Sequence, residues 1–323
     1  MSKRILLTGG AGFIGSNLCE HFLQKGYKVR CLDNLSTGRM SNIQGLLEHP
    51  NFEFVEADIR DFEACVKAVQ DCELVLHQAA LGSVPRFIDR PLDTNAVNIT
   101  GFLNVLWAAT QEGVERFVYA ASSSTYGDSK ELPKVEDRIG NPMSPYAVTK
   151  LVNEQYAKVF GQMYGIKTIG LRYFNVFGRN LDPDGAYAAA IPKFVKAFLE
   201  HRSPEIHGDG EQTRDFTYID NVLHANECAL ETENEEVFHE VYNVAFGERT
   251  SVNQIVKKLQ LLLSEKDPEI AEVELKYAQA RKGDVRDSLA DIAKARRMLN
   301  YNPKISVLAG VERAIDWYWN DLK

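Results

Sequence analysis

Cysteine is sparse in this chain: Cys19, Cys31, Cys65, Cys72 and Cys228 are the five in 323 residues. The count is odd and no C-x-x-C pair exists. A disulfide framework and a metal site are both disfavoured, and the expectation is five reduced, small apolar residues in a cytoplasmic protein with no metal. Long apolar runs are missing too. The run from Ile5 to Leu7 in "MSKRILLTGG" is far shorter than a signal-peptide core, and glycines follow at once. Nothing approaches the ~18 apolar residues of a membrane span. Positive charge is in deficit, with 37 Lys and Arg against 45 Asp and Glu and a net charge of -8. That balance gives no basic footprint for nucleic acid and no Lys/Arg block for a membrane surface. An anionic ligand would have to meet a few cations placed locally.

What is present is ordinary for a soluble globular protein, with 45% hydrophobic and 25% charged residues. The length implies two lobes or one large α/β unit. Strand-like and helix-like stretches alternate in the first half. "RILLTG", "KVRCLD", "FEFVEAD", "CELVLHQAA" and "VERFVYAASSS" read as strands. "IGSNLCEHFLQKG" and "PLDTNAVNITGFLNVLWAATQEG" read as helices. Strands separated by helices predict an α/β fold with a doubly wound parallel sheet. A further helix opens at Ser144 and runs to about Tyr164, and "IKTIGLRYFNVFG" follows as one strand. After Gly178 the texture becomes loop-rich. The expected division is a first domain over 1–178, with returning segments at about 217–247, and a smaller mixed α/β substrate-binding lobe over about 179–216 and 248–323.

"TGGAGFIG" follows the first strand and opens the first helix. Gly9, Gly12 and Gly15 let the backbone turn tightly and let a pyrophosphate approach the helix N-terminus, where free N–H groups and the helix dipole favour negative charge. A second strand ends in Asp33, eighteen residues past Gly15. An acid there can accept both hydroxyls of an adenosine ribose and would repel a 2′-phosphate. This context predicts a Rossmann-type domain that binds NAD in preference to NADP. Asp58 and Ile59, after the third strand, either border the adenine or, in the case of Asp58, cap a helix. Ala79 and Ala80 are small enough for a cofactor to lie against the backbone, whereas His77 reads as a packed core histidine.

In "SPYAVTK", Ser144 suits an N-cap and Pro145 the first helical position. Tyr146 and Lys150 then share one helix face. A free tyrosine, with a pKa near ~10, is too weakly acidic to serve as a base at neutral pH. A nearby ammonium and an oxidised nicotinamide would each lower that value. The pair therefore reads as a proton-transfer group beside a hydride acceptor, with Lys150 also able to hold the nicotinamide ribose. Ser122, at the end of the fifth strand, is placed to bond a substrate hydroxyl and share its proton with Tyr146.

Together these residues resemble the extended short-chain dehydrogenase/reductase family over essentially the whole chain. The likeness is closest to the nucleotide-sugar 4-epimerases, and within them to those acting on UDP-N-acetylglucosamine. "HQAALGSVPR", "YAASSSTYGD", "SPYAVTK", "LRYFNVFGR", "GAYAAAIPKF", "GDGEQTRDFTYIDN" and "KGDVRDSLADI" carry it. The resemblance implies Ser122, Tyr146 and Lys150 as the catalytic set. It implies NAD contacts from Phe13, Ile14, Asn34, Ser36, Thr37, Gly38, Gln78 and Tyr173 beside the residues already named. For the sugar nucleotide it implies Gly82, Ser83, Ser123, Asn175 and Ala189, Arg214 and Arg281 on the diphosphate, and Asp284 on the uridine ribose. It further implies a homodimer formed through a four-helix bundle from "NITGFLNVLWAATQEG" and "YAVTKLVNEQYAKVFGQMYG".

Related 4,6-dehydratases carry an Asp-Glu pair directly after the fifth-strand hydroxyl residue, and UDP-glucuronate decarboxylases keep a Glu at the second place. Here Ser123 and Ser124 occupy these places and cannot do general acid or base work. The expected activity is NAD-dependent interconversion of UDP-GlcNAc and UDP-GalNAc through a transient 4-keto sugar. By the same likeness Ser288 is a small gate beside the C2 substituent. Leu181 stands where N-acetyl-preferring members have Gln, which widens the expected range to UDP-glucose and UDP-galactose. A UDP-glucose or UDP-uronic acid 4-epimerase is the near alternative. An inactive NAD-sensing scaffold is the alternative from another class, against which the retained Tyr-Lys pair speaks.

Overall fold

The computed structural model describes residues 2–82, 90–182, 190–279 and 286–322. Ser83, Ala189, Arg281 and Asp284 therefore lie outside the described residues. Among those described, seven parallel strands form the central sheet: β1 (Arg4–Thr8), β2 (Lys28–Asp33), β3 (Phe52–Glu56), β4 (Leu74–His77), β5 (Arg116–Ser122), β6 (Lys167–Tyr173) and β7 (Glu240–Val244). Their order is β7-β6-β5-β4-β1-β2-β3. The order reverses between β1 and β4, and in such sheets the crevice beyond the strand ends at that point is where ligands bind.

Helices cover both faces. They are α1 (Phe13–Gln24), α2 (Phe62–Val69), α3 (91–111), α4 (Pro145–Tyr164), α5 (Ala190–Leu199), α6 (Ile219–Glu231), α7 (Val252–Ser264), α8 (Ala293–Leu299) and α9 (Val307–Asp321). Alternation along β1 divides the core. Ile5 and Leu7 join the cluster of Phe22, Val222, Leu259 and Tyr318, while Leu6 joins Val75, Phe102, Leu106 and Phe117 on the other face. Every one of these side chains is essentially inaccessible, as expected of parallel strands covered on both sides.

Two elements depart from the simple sequence pattern. The single strand expected from Ile166 to Gly178 is broken. β6 stops at Tyr173, Asn175 takes a positive φ of 36°, and Val176–Phe177 pairs instead with Thr217–Tyr218. The cause is non-local: Asn175 donates through Nδ2 to the Asp215 carbonyl (3.0 Å), and its own carbonyl accepts from Thr217 (3.2 Å). Helix α3 is continuous but contains a π turn over Ala96–Gly101. Gly101 fits there because a Cβ would stand 2.6 Å from the Ile59 side chain.

Helix α4 follows its local signals. The Ser144 Oγ accepts from the Ala147 N–H (3.2 Å), Pro145 opens the first turn, and Gly165 closes the helix at a φ of 76°. Replacing Ser144 with Ala orphans that N–H, and caps of this kind contribute about 0.5–2 kcal/mol. S144A is expected to lower the chemical-denaturation midpoint accordingly, and an unchanged midpoint would show that the cap is not needed.

Candidate active site

The glycine loop is held by backbone proximity. Gly9 has a φ of 71°, and a Cβ on it would stand 2.7 Å from the Ala79 backbone. On Gly15 a Cβ would fall 2.1 Å from the Gly9 carbonyl oxygen. Gly12 is the N-cap of α1 and offers no capping side chain, so the N–H groups of the turn that starts at Phe13 and Ile14 keep their capacity for an anion. Asp33 closes the other side. Its Oδ2 accepts from the Ala11 N–H (2.9 Å) and its Oδ1 from the Leu35 N–H (2.8 Å). Burial raises the carboxyl pKa, opposed by these and one further backbone hydrogen bond. Gly38 lies so near that a Cβ would be 2.9 Å from both Asp33 oxygens. Between them the Asn34 Oδ1 accepts from the Ser36 N–H (3.1 Å), and Ser36 and Thr37 are exposed.

Asp58 is not a helix cap, because α2 is capped by Asp61. Its carboxylate takes the Arg60 guanidinium and the Asn34 Nδ2 (2.8 Å), and chiefly Arg60 holds its pKa down at about 2. The Ile59 side chain is buried in the core. His77 is a core residue as expected, bonded to Thr8 (2.9 Å) and packed against Phe102 and Phe117. After β4 come Gln78, Ala79 and Ala80, all partly accessible. The Gln78 amide is buried near the Tyr173 hydroxyl, yet neither of its polar atoms completes a hydrogen bond of normal geometry.

Ser122, Tyr146 and Lys150 are brought together where β5 ends against α4. The Ser122 Oγ accepts from the Ser124 N–H (3.2 Å) and the Ser124 hydroxyl (2.9 Å), and it is hydrogen-bonded to the Tyr146 hydroxyl. Lys150 is buried; its Nζ donates to the Ala120 carbonyl (2.7 Å) and lies 5.9 Å from the Tyr146 ring centroid. One expectation is corrected. The lysine was expected to lower the tyrosine pKa, but burial raises it, with the Ser122 hydrogen bond as the opposing influence. The ammonium is directed to a backbone carbonyl, so the desolvation of the phenolate dominates. Burial also lowers Lys150, to about 8.

Arg214 donates to the carbonyls of Thr213 and Arg286, both at 3.0 Å. Ser288, half-buried, is fixed by its N–H on the Thr213 carbonyl (3.1 Å). The neighbouring Ala290 N–H reaches the buried Asp215 carboxylate (3.1 Å). Gly82 is partly accessible, Asn175 exposed, and Leu181 buried in the main core. Ser123 begins the 3-10 turn Ser123–Tyr126.

Asn98 was missed. It sits in the π turn, accepts from the Leu81 N–H (2.7 Å), donates to the Leu81 carbonyl (2.8 Å), and so clamps the backbone before Gly82. Its own carbonyl, which the π turn frees, accepts from Asn153 of α4 (2.7 Å). The available signal was an Asn on the buried face of an apolar helix.

Residues 5–245 match the model of the NAD dependent epimerase/dehydratase family. The chain belongs to that family. It is 37% identical to a putative UDP-glucose 4-epimerase of Methanocaldococcus jannaschii, over 98% of this chain and 99% of that one. A UDP-N-acetylglucosamine 4-epimerase from Methanobrevibacter ruminantium, solved with UDP-N-acetylmuramic acid, superposes with a TM-score of 0.91 at 35% identity and covers 99% of each chain. A UDP-glucuronic acid 4-epimerase from Bacillus cereus, solved with UDP-glucuronic acid and NAD, gives 0.86 at 32% identity, over 98% of this chain and 99% of that one. This epimerase is an isomerase of the UDP-sugar 4-epimerase group that uses NAD. The residues present fit the cofactor: the glycine cradle admits no side chain at Gly9 or Gly15, and a carboxylate closes its far side. With Asp33 in the expected place beside the adenosine ribose, a 2′-phosphate would set a second anion against it. Cofactor-free protein is expected to bind NAD at least about tenfold more tightly than NADP, the factor that about 1.4 kcal/mol supplies. Equal affinities in a direct titration would contradict this.

Proposed function

We propose that the epimerase interconverts UDP-GlcNAc and UDP-GalNAc, and that it also turns over UDP-glucose and UDP-galactose. The observation that carries 4-epimerisation is the Tyr146–Ser122 hydrogen bond beside the buried Lys150, with serines at both following positions. No carboxyl group stands at 123 or 124 to remove water or to assist loss of a carboxyl group. The N-acetyl reading rests on Ser288, a small residue on a segment pinned at Thr213 and Asp215.

Asp33 would hold the adenosine ribose and the Gly9–Gly15 loop the pyrophosphate, with Asn34, Ser36, Thr37 and Gly38 around the adenosine. Bound NAD supplies an acceptor for hydride from C4 of the sugar and returns it, so the cofactor is unchanged by a full cycle. The Tyr146 phenolate takes the proton from the sugar 4-hydroxyl, and Ser122 bridges the two oxygens. The charge of Lys150, together with that of the nicotinamide ring, would offset the burial that raises the Tyr146 pKa. When the ketone is reduced on its other face, Tyr146 returns the proton to O4. Arg214 would meet the diphosphate, since a planar guanidinium matches phosphate oxygens.

The assembly reading is a homodimer through α3 and α4. Its support is apolar surface on both helices: Leu92 of α3 and Val159, Met163 and Tyr164 of α4 are exposed, and Trp107 of α3 packs edge-on against Phe160 of α4 (6.1 Å).

Tyr146→Phe is expected to lower turnover by about 10²–10⁴ while NAD content and denaturation midpoint stay near the parent values. A variant that kept more than about a tenth of the parent rate would remove Tyr146 from the role of base.

For the gate, Ser288→Tyr adds a ring where an acetamido group should sit, at a strain of about 1–3 kcal/mol. That corresponds to roughly 5- to 150-fold in relative specificity. The kcat/KM for UDP-GlcNAc should fall while that for UDP-glucose survives or rises. A parallel fall in both would assign Ser288 to the fold, and no change in either would place the gate elsewhere.

A further inference from the structure

Glu154 follows Lys150 by four residues, as Lys150 follows Tyr146, so all three share one face of α4. Its carboxylate is buried and receives both arms of Arg172 from β6, Nε at 2.9 Å and Nη2 at 2.8 Å. The two side chains are 6% and 3% exposed. Arg172 also donates to the Glu136 carbonyl (2.9 Å), and its guanidinium stands 5.0 Å from the Tyr126 ring centroid. The Glu136 carboxylate in turn accepts from the Asn243 N–H (2.9 Å), and the Tyr126 hydroxyl donates to the Asn243 side chain (2.6 Å). The carboxylate is thus fixed from β6, from β7 and from the segment before α4. A buried pair of this kind is poor value as a stabiliser, because well-packed apolar residues of similar volume do as well or better. Its place, one turn from a buried ammonium, suggests another use.

We propose that Glu154 is a positioning residue for proton transfer: held by Arg172, its carboxylate keeps the buried Lys150 ammonium charged, and thereby keeps it able to support the Tyr146 phenolate. The inference rests on the 4-epimerase reading.

Among the described residues, the surroundings of Lys150 leave Glu154 as the compensating charge. Burial drives Lys150 down to about 8, and Glu154 is the charge that opposes it. From β4, His77 faces the lysine but stays neutral, its pKa pushed down to about 3 by burial and by Lys150. From β5, Tyr119 is a neutral phenol whose pKa is raised by burial and by Glu154. Tyr126 and Tyr173, both at about 12 through burial, are neutral as well. Arg172 is spent on Glu154: burial works against its charge, and the Glu154 hydrogen bonds and charge more than restore it. Glu136 lies beyond Arg172, its own pKa raised by burial. From α3, the uncharged amide of Asn98 donates to the Thr149 hydroxyl (3.2 Å), and its backbone carbonyl accepts from Asn153 (2.7 Å).

In the NAD-loaded enzyme, where the positive nicotinamide ring would bring the raised Tyr146 pKa below that of Lys150, the active ionisation state is phenolate with ammonium. The alkaline limb of the pH profile of kcat/KM therefore reports loss of the Lys150 proton. Removing a carboxylate from beside an ammonium lowers its pKa, so that limb moves toward lower pH. Unit charges one helical turn apart in a buried site imply a shift of about one unit or more. The test compares profiles of the NAD-loaded parent, E154Q and E154D with whichever UDP-sugar the parent epimerises. E154Q should show the downward shift. E154D, which keeps the charge, should hold its limb near the parent position even where its denaturation midpoint falls. Where E154Q fails to retain NAD, the E154Q/R172M double variant removes the arginine that the first change leaves unpaired and should show a smaller shift in the same direction. A parent-like alkaline limb in E154Q or in the double variant would overturn the proposal, as would an equal shift in E154D. Failure of the parent itself to epimerise any UDP-sugar would overturn the 4-epimerase reading instead, so the two failures are distinguishable.

Discussion

A buried ammonium is the constraint from which the rest of the site follows. Lys150 has almost no access to water, and an isolated charge in such a place tends to lose its proton. The fold answers in two ways. It gives the Nζ a backbone carbonyl at Ala120, and it sets the Glu154 carboxylate one turn further along the same helix. Both depend on the crossing of α4 over β5 and β6, so the chemistry cannot be separated from the sheet.

The sheet supplies the fixed coordinates. In register with Tyr173 across the ladder, Ser122 ends β5, and Ala120 lies two residues back on the same strand. The strand end and the helix meet at the Ser122–Tyr146 hydrogen bond. The glycine cradle sits at β1, beside the point where the strand order reverses, and Ala79 at the end of β4 closes on it. Asn98 joins these parts. Its side chain holds the Leu81 backbone, while the carbonyl freed by the π turn in α3 holds Asn153 of α4. Irregular turns of this kind often mark functional positions.

What was legible in the sequence was local. The glycines, Asp33 at a strand end, and the Ser-Pro opening of α4 each carry a short-range cause, and the structure gives each the expected local geometry. The order of strands and helices was legible for the same reason, because period-2 and period-3.6 patterns are written in neighbouring residues. What was not legible depends on partners far along the chain. The break at Asn175 is made by Asp215 and Thr217. The Glu154–Arg172 pair joins a helix to the strand that follows it, and sequence spacing alone shows neither its burial nor its bidentate geometry. The tyrosine was misjudged for a related reason. Spacing placed a lysine near it, but the depth of burial, which raises its pKa, belongs to the packed fold.

The central claim is that C4 of the sugar loses and regains a hydride within the enzyme while Tyr146 handles the hydroxyl proton. The most direct measurement uses a UDP-sugar deuterated at C4, turned over in ordinary water, and the same unlabelled sugar turned over in heavy water. Both C4 epimers are then isolated for mass analysis. The expected result is full retention of the label in the first case and no deuterium at C4 in the second. Washout of the label, or uptake of solvent deuterium at C4, would show that the carbon exchanges a proton with water and would contradict the account.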